Sequence, residues 1–269
     1  MAAKLSTRHL SKCFGSGERE IVALEDLSID VEDGEFVSIV GASGCGKTTF
    51  LRLVDGLIKP SRGQVLIDGQ PLLRPGEKIA FVFQNDGLLP WRNVARNTEF
   101  GPELQRRQRS MYESLARRML RLVGLANFDR HYPHQLSGGM RQRVNIARAL
   151  TVGTDVLLMD EPFAALDAQT REIMQDELMQ ISTEARKTVL LVTHQIDEAV
   201  YLSDRVLVFT TRPGRLKQDV RIDLPRPRQL AMKRTPEFVQ YTDRIWHLIE
   251  EEVRFSIRQE VESRANAVA

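Results

Sequence analysis

The chain is poor in cysteine. Only Cys13 and Cys45 occur among 269 residues, too few for a disulfide scaffold, and no paired Cys/His spacing of the zinc type surrounds them. Free thiols in a reducing cytosol are the expectation. Long apolar runs are also lacking. The longest, such as Val156-Leu157-Leu158-Met159 and Val189-Leu190-Leu191-Val192, are of strand length and fall far short of the roughly 18 residues a membrane span requires. The chain is therefore not expected to cross a bilayer alone. Met1 to Lys12 contains no apolar segment of the kind a secretory signal needs, so none is expected. Charge of one sign is not in excess: the formal net charge is +2, which gives no indication of nucleic-acid binding. With 42% hydrophobic and 28% charged residues, the composition is that of a globular protein with a sizeable core.

What is present is an α/β pattern. Phe36-Val37-Ser38-Ile39-Val40 reads as a strand that runs into a glycine cluster, Gly41 to Gly46, and then a helix over Lys47 to Leu57. Further strand-length apolar runs lie at Ile79 to Phe83, Val156 to Met159, Val189 to Val192 and Val206 to Phe209. Continuous rather than alternating apolarity fits parallel strands covered on both faces, so a mostly parallel sheet is predicted. Between Gln84 and Leu136 the apolar residues take helical spacing, as at Leu115, Met119, Leu122 and Val123, which predicts an inserted helical lobe. Its arginines, including Arg106, Arg107, Arg109, Arg117, Arg118 and Arg121, suit either a solvated helical surface or a phosphate-rich partner. After a Pro/Arg-rich linker from Leu224 to Arg228, Thr235-Pro236-Glu237 supplies an N-cap, a first-turn proline and an acidic residue in the favoured order. A terminal amphipathic helix follows, with Phe238, Tyr241, Ile245, Leu248 and Val253 on one face, packed on its own domain or on a partner subunit.

Gly41-Ala42-Ser43-Gly44-Cys45-Gly46-Lys47-Thr48 matches G-x-x-x-x-G-K-[ST]. Its glycines let backbone N–H groups curl around phosphates, and Lys47 brings a cation to the β- and γ-phosphates. The helix that starts here adds unsatisfied N–H groups and a positive dipole end, while Thr48 can ligate Mg²⁺ and Thr49 can reach an inner phosphate. From average residue frequencies such a match arises by chance in on the order of one chain in a hundred of this length. A plain glycine turn is thus the weaker reading. Cys45 contributes only its backbone at that position, although a thiol beside a nucleotide can be modified.

The run Val156 to Met159 ends in Asp160-Glu161-Pro162, two carboxylates at the carboxyl edge of a buried strand, where open α/β sheets bind ligands. Asp160 is expected to hold Mg²⁺, and Glu161 to orient the water that attacks the γ-phosphate, since phosphoryl transfer depends on positioning and charge neutralisation.

Leu136-Ser137-Gly138-Gly139-Met140-Arg141-Gln142-Arg143 resembles the signature of the ATP-binding-cassette (ABC) proteins. The family's other landmarks stand in order around it: the phosphate loop, Gln84 after Phe81-Val82-Phe83, Asp160-Glu161, Ala165-Leu166-Asp167, and His194 after a strand. The resemblance covers nearly the whole chain. It implies a P-loop NTPase core with an N-terminal antiparallel β subdomain and an inserted α-helical subdomain. The ATP-binding domain would span about 4–225, with the helical insert about 85–152, followed by a linker and helical extension over 226–269. It further implies that Gln84 senses Mg²⁺ and the γ-phosphate, that His194 is a switch contacting the γ-phosphate, and that Asp167 meets a second copy. Phe14 would stack on adenine, without the hydroxyl of the tyrosine often found there. Taken alone, Gln84 and His194 read as an ordinary surface amide and a structural histidine. Ser137, Gly138 and Gly139, placed before an apparent helix at Met140, would complete the ATP site of the other copy, so that ATP closes the dimer and hydrolysis opens it.

Asp86-Gly87-Leu88-Leu89-Pro90-Trp91, Thr211-Arg212-Pro213-Gly214-Arg215 and Thr235-Pro236-Glu237-Phe238 look like the nitrate, sulfonate and taurine branch of bacterial importers. That implies two copies of this chain at the cytoplasmic face of the inner membrane, two integral-membrane permease subunits and an extracytoplasmic solute-binding protein. Leu88 to Trp91 is either a socket for a partner helix or part of the lobe's interior. An exporter or lipid-transport motor would use the same catalytic residues. A soluble cassette ATPase would call for a tandem cassette or a coiled-coil insert, and neither is visible.

Overall fold

The computed structural model describes residues 3–15, 17, 20–72, 74, 75 and 78–268, with side chains described through Phe255. In chain order the elements are β1 (Ala3–Phe14), β2 (Ile21–Glu32), β3 (Phe36–Val40), α1 (Lys47–Val54), β4 (Arg62–Ile67), β5 (Gln70–Pro71) and β6 (Ile79–Val82). Then come α2 (Val94–Thr98), α3 (Phe100–Leu104), α4 (Arg109–Leu122), α5 (Gly138–Val152), β7 (Val156–Asp160), α6 (Ala168–Glu184) and β8 (Thr188–Val192). The chain finishes with α7 (Ile196–Leu202), β9 (Arg205–Phe209), β10 (Leu216–Arg221) and α8 (Pro236–Val268). They group into two compact units, residues 1–75 with 190–269, and residues 76–189.

The first unit holds an antiparallel sheet in the order β2-β1-β4-β5. In β2, Leu27, Ile29 and Val31 are buried while Ser28, Asp30 and Glu32 are exposed, the period-two alternation of a strand with one wet face. A second set of strands runs β10-β9-β3, with β3 and β9 parallel and β9 and β10 antiparallel. Every residue of β3 is buried, as the unbroken apolar run predicts. The helix α1 stops at Val54, three residues before the expected Leu57. Gly56 takes φ of 76° there, a left-handed conformation that ends a helical turn and that most other residues avoid. Phe50 of α1 meets Phe209 of β9 edge to face, with ring centroids 5.6 Å apart, which ties the helix to the strand beneath it.

The helix α8 begins at Pro236, with Thr235 Oγ1 accepting from the Phe238 amide. Phe238 and Ile245 are buried, but Val253 is exposed, so the apolar face narrows before the expected last position. Arg228, at the end of the Pro/Arg-rich stretch, is buried rather than solvated. Its Nη1 donates to the carbonyls of Val200, Tyr201 and Ser203 at the end of α7. Those carbonyls lack helical partners, and a guanidinium satisfies several at once. Burial pushes Arg228 down to about 10, with Arg226 adding to the effect.

In the second unit β6 and β7 pair in parallel, from Ile79 with Val156 to Val82 with Met159. Between β6 and β7 this unit carries α2 to α5. In α4, Tyr112, Ala116, Met119 and Leu120 form the buried stripe, one face of a 3.6-residue repeat. Arg106, Arg107, Arg109, Arg117, Arg118 and Arg121 are exposed, which is the solvated-surface reading.

Candidate active site

The phosphate loop joins β3 to α1. Two of its glycines are dictated by space and backbone. Gly41 has φ of 156°, and a Cβ there would lie 2.9 Å from the Phe209 carbonyl oxygen. Gly46 has φ of 102°, and a Cβ there would lie 2.6 Å from Leu24 Cδ2 and 3.0 Å from the Ala23 carbonyl oxygen. No side chain fits at either position, so the loop can only be bare backbone. Gly46 brings no side-chain cap, and the first turn of α1 carries no acidic residue. The first turn of the helix thus presents amide donors and a positive dipole end with no carboxylate of its own, a setting that suits an anion. Lys47 is buried, and its Nζ donates to the carbonyls of Gly41 at 2.8 Å and Ala42 at 3.0 Å. That fixes the cation over the loop. Ser43 and Gly44 are exposed, while Thr48 and Thr49 are half-buried in the first turn. Cys45 is buried, and burial raises its thiol above the usual range despite the pull of Lys47. A buried, protonated thiol is an unreactive one, which favours the loop-filler reading.

His194 follows β8 in the same unit and is exposed. The turn around it is set by the Gln195 amide, which donates to Thr193 Oγ1, and by the Thr193 amide, which donates to the Ile39 carbonyl. Phe14 ends β1, is 44% exposed, and carries the Lys12 ammonium 5.0 Å from its ring centroid. One face of an exposed ring is thus engaged by a cation.

The second unit holds the carboxylates. Asp160 closes β7 and is buried. Glu161 follows with φ of 49°, a left-handed backbone that is rare and costly for a residue with a side chain and that recurs where geometry serves chemistry. Gln84 Nε2 donates to Glu161 Oε2 at 3.2 Å, so two residues 77 positions apart in sequence share one hydrogen bond. The signature helix α5 starts at Gly138, two residues before the expected Met140, because Ser137 is its N-cap and accepts the Met140 amide. A Cβ on Gly139 would lie 3.3 Å from both the Ala165 carbonyl oxygen and Leu166 Cδ2, so the signature and the Ala165-Leu166-Asp167 loop are in close packing. Asp167 caps α6 by accepting the Thr170 amide at 2.9 Å, and this hydrogen bonding holds its carboxyl below the ordinary range.

A match to the family model described as "ABC transporter" covers residues 24–164. The chain belongs to that family. It is 46% identical over 258 residues to an uncharacterised ABC transporter ATP-binding protein of Methanocaldococcus jannaschii, covering 96% of each chain. It is 43% identical to the nitrate import ATP-binding protein of Synechocystis, over 91% of this chain and 94% of that one. It is 45% identical to the taurine import ATP-binding protein of Yersinia pestis, over 81% of this chain and 87% of that one. Among solved structures, a dimeric ATP-binding cassette in a post-hydrolysis state with ADP and Pi matches with a TM-score of 0.75 and 33% identity, over 82% of this chain and all of that one. The resemblance read from the sequence is thereby borne out, together with the α/β P-loop fold and the activity of an ATPase.

Within the cassette, two sets of contacts were not anticipated from the sequence. Arg141 and Arg148, seven residues apart on α5, reach the segment after Gln84: Arg141 Nε lies 2.9 Å from Asp86 Oδ2, and Arg148 donates to the Asp86 and Gly87 carbonyls. Their i, i+7 spacing puts them on one face of a helix, which is the only cue the sequence held. Just beyond, Leu88 is buried while Trp91 is 71% exposed, so the apolar cluster divides between the two readings. The other set is the turn from Thr210 to Arg215, which lies against the phosphate loop.

Proposed function

We propose that this cassette is the ATP-hydrolysing motor of an importer for a small anion of the nitrate, sulfonate or taurine class. It works as a pair of copies at the cytoplasmic face of the membrane, with two integral-membrane permease subunits and an extracytoplasmic solute-binding protein in the same system. The observation that carries the hydrolytic part is Glu161. Its left-handed backbone and its hydrogen bond from Gln84 hold one carboxylate in a single pose directly after a buried strand. A fixed carboxylate is what the alignment of an attacking water requires.

In this reading the amides of Gly41, Ala42, Ser43, Gly44, Cys45 and Gly46 cradle the phosphates, and Lys47 neutralises the β- and γ-oxygens. Thr49 reaches an inner phosphate, Glu161 orients the water, His194 contacts the γ-phosphate, and Phe14 offers its free face to adenine. Thr48, Asp160 and Gln84 would hold Mg²⁺; a hydroxyl, a carboxylate and an amide are the hard oxygen donors that ion takes beside phosphate. The ion would supply charge neutralisation on the β- and γ-oxygens. Ser137, Gly138 and Gly139 would serve the ATP bound by the other copy. The nucleotide domain is read as 4–225, with its helical insert about 85–152, and 226–269 as an extension. No helix among the described residues is long and apolar enough to cross a membrane, which agrees with a peripheral subunit. The importer class rests on the nitrate and taurine relatives, and Trp91 offers an apolar contact for a permease helix.

The test is Glu161→Gln. The amide keeps shape and hydrogen bonding but cannot polarise the water, so turnover is expected to fall by roughly 10²-fold or more while ATP binding is kept. Turnover at the parental rate would remove Glu161 from this role.

A further inference from the structure

The turn from Thr210 to Arg215 touches the phosphate loop on one side and the terminal helix α8 on the other. On the loop side, the Gly214 amide donates to the Ala23 carbonyl at 3.0 Å, and its carbonyl accepts the Glu25 amide at 3.0 Å. A Cβ on Gly214 would lie only 2.2 Å from the Cys45 carbonyl oxygen, so the two backbones are in direct contact. Arg212 Nη2 lies 3.4 Å from the Gly44 carbonyl. On the helix side, the Thr211 amide donates to Glu252 Oε2 at 2.7 Å, and Lys217 Nζ lies 3.0 Å from Glu252 Oε1 and 2.7 Å from Glu251 Oε2. Lys217 also donates to the Leu248 carbonyl.

Thr211 is buried and Glu252 half-buried. Burial pushes the Glu252 carboxyl up, but the Thr211 amide and Lys217 together outweigh it and hold it below the usual range. Glu252 is therefore the ionised acceptor of a buried amide, a strong kind of hydrogen bond. The turn is internally fixed as well, with Thr210 Oγ1 donating to the Pro213 carbonyl and accepting the Arg215 amide. A stiff turn, held at Thr211 and in backbone contact at Gly214, passes a displacement at one end to the other, because packed backbone has no slack to absorb it.

We propose that Glu252 is a positioning residue for the nucleotide: through the Thr211 amide, the terminal helix sets the seat of the phosphate loop and thereby the affinity for ATP. This rests on the reading of residues 41–48 as the phosphate loop. The ordinary alternative is that Glu252 only stabilises the fold, in which case its loss lowers the melting temperature and leaves ATP binding alone.

The experiment uses the full chain and measures the Kd for ATP by titration calorimetry, with KM and kcat for hydrolysis. Glu252→Ala is expected to raise Kd and KM by roughly 3- to 10-fold with kcat changed less than about twofold. Glu252→Gln keeps an oxygen for the Thr211 amide but not the charge, and is expected to fall between alanine and parent. Glu250→Ala, on the same helix but paired with Arg254, is expected to leave both constants at the parental value. A Glu252→Ala chain with parental Kd and KM, or one that loses only kcat or only melting temperature, overturns the proposal. Should that chain not fold, Glu252→Gln decides by the same constants. Lys47→Ala separates the two levels. If it binds ATP like the parent, the phosphate-loop reading falls and the coupling with it. If it loses ATP while the Glu252 variants do not change, the coupling alone falls.

Discussion

At the residue scale, the surroundings of the candidate site constrain what each position can hold. Gly46 is the clearest case: positive φ and a Cβ position 2.6 Å from Leu24 Cδ2 mean that even a methyl group must displace the β2 strand or the loop. Gly46→Ala is expected to cost more than about 1 kcal/mol of stability and to weaken ATP binding, read by thermal melting and nucleotide titration. An unchanged melting temperature and affinity would show that the loop relaxes freely. Lys47 and Glu161 sit at the opposite extreme of legibility. Both stand in motifs whose spacing announces them, yet the buried carbonyl partners of Lys47 and the left-handed backbone of Glu161 had no sign in the sequence.

Elements place these residues, and their ends matter more than their middles. The helix α6 is capped by Asp167, whose carboxylate accepts the Thr170 amide. Because that carboxyl is depressed in the folded chain, its stabilising effect is complete above the ordinary aspartate range and is lost as the pH falls through the depressed value. Asp167→Asn keeps a capping oxygen but cannot titrate. Its melting temperature is expected to lie below the parent's at neutral pH and to fall less steeply on acidification, as followed by circular dichroism from neutral pH into acid. Equal acid slopes would remove Asp167 from the pH dependence. The strands were legible as elements because continuous apolar runs such as β7 and β8 are buried at every residue. The start of α5 was not, because Gly138 and Gly139 are poor helix formers and only the Ser137 cap shows that the turn begins there.

At the scale of the whole molecule, the catalytic parts say nothing about the cargo. The relatives named as nitrate import and taurine import ATP-binding proteins are nearly equally similar to this chain, at 43% and 45% identity, so similarity does not choose between the two. The measurement belongs to the proposed assembly: with the proposed permease in lipid and the proposed solute-binding protein added, ATP hydrolysis is expected to rise several-fold with one anion of this class and not with a neutral solute of similar size. Stimulation by none of nitrate, sulfonates or taurine would dismiss the proposed cargo while leaving the ATPase in place.

The sequence by itself located the glycine-rich loop and the Asp160-Glu161 pair, because glycine spacing and charge at a strand end are local patterns, and the resemblance of its signature segment pointed to the family. Only the tertiary structure decided that Gln84 meets Glu161, that Arg228 is buried on the end of α7, and that Glu252 reaches the turn beside the loop. Each of those is a contact between distant segments. Such pairs follow from the packing of elements on one another, and no local pattern of residue types encodes them.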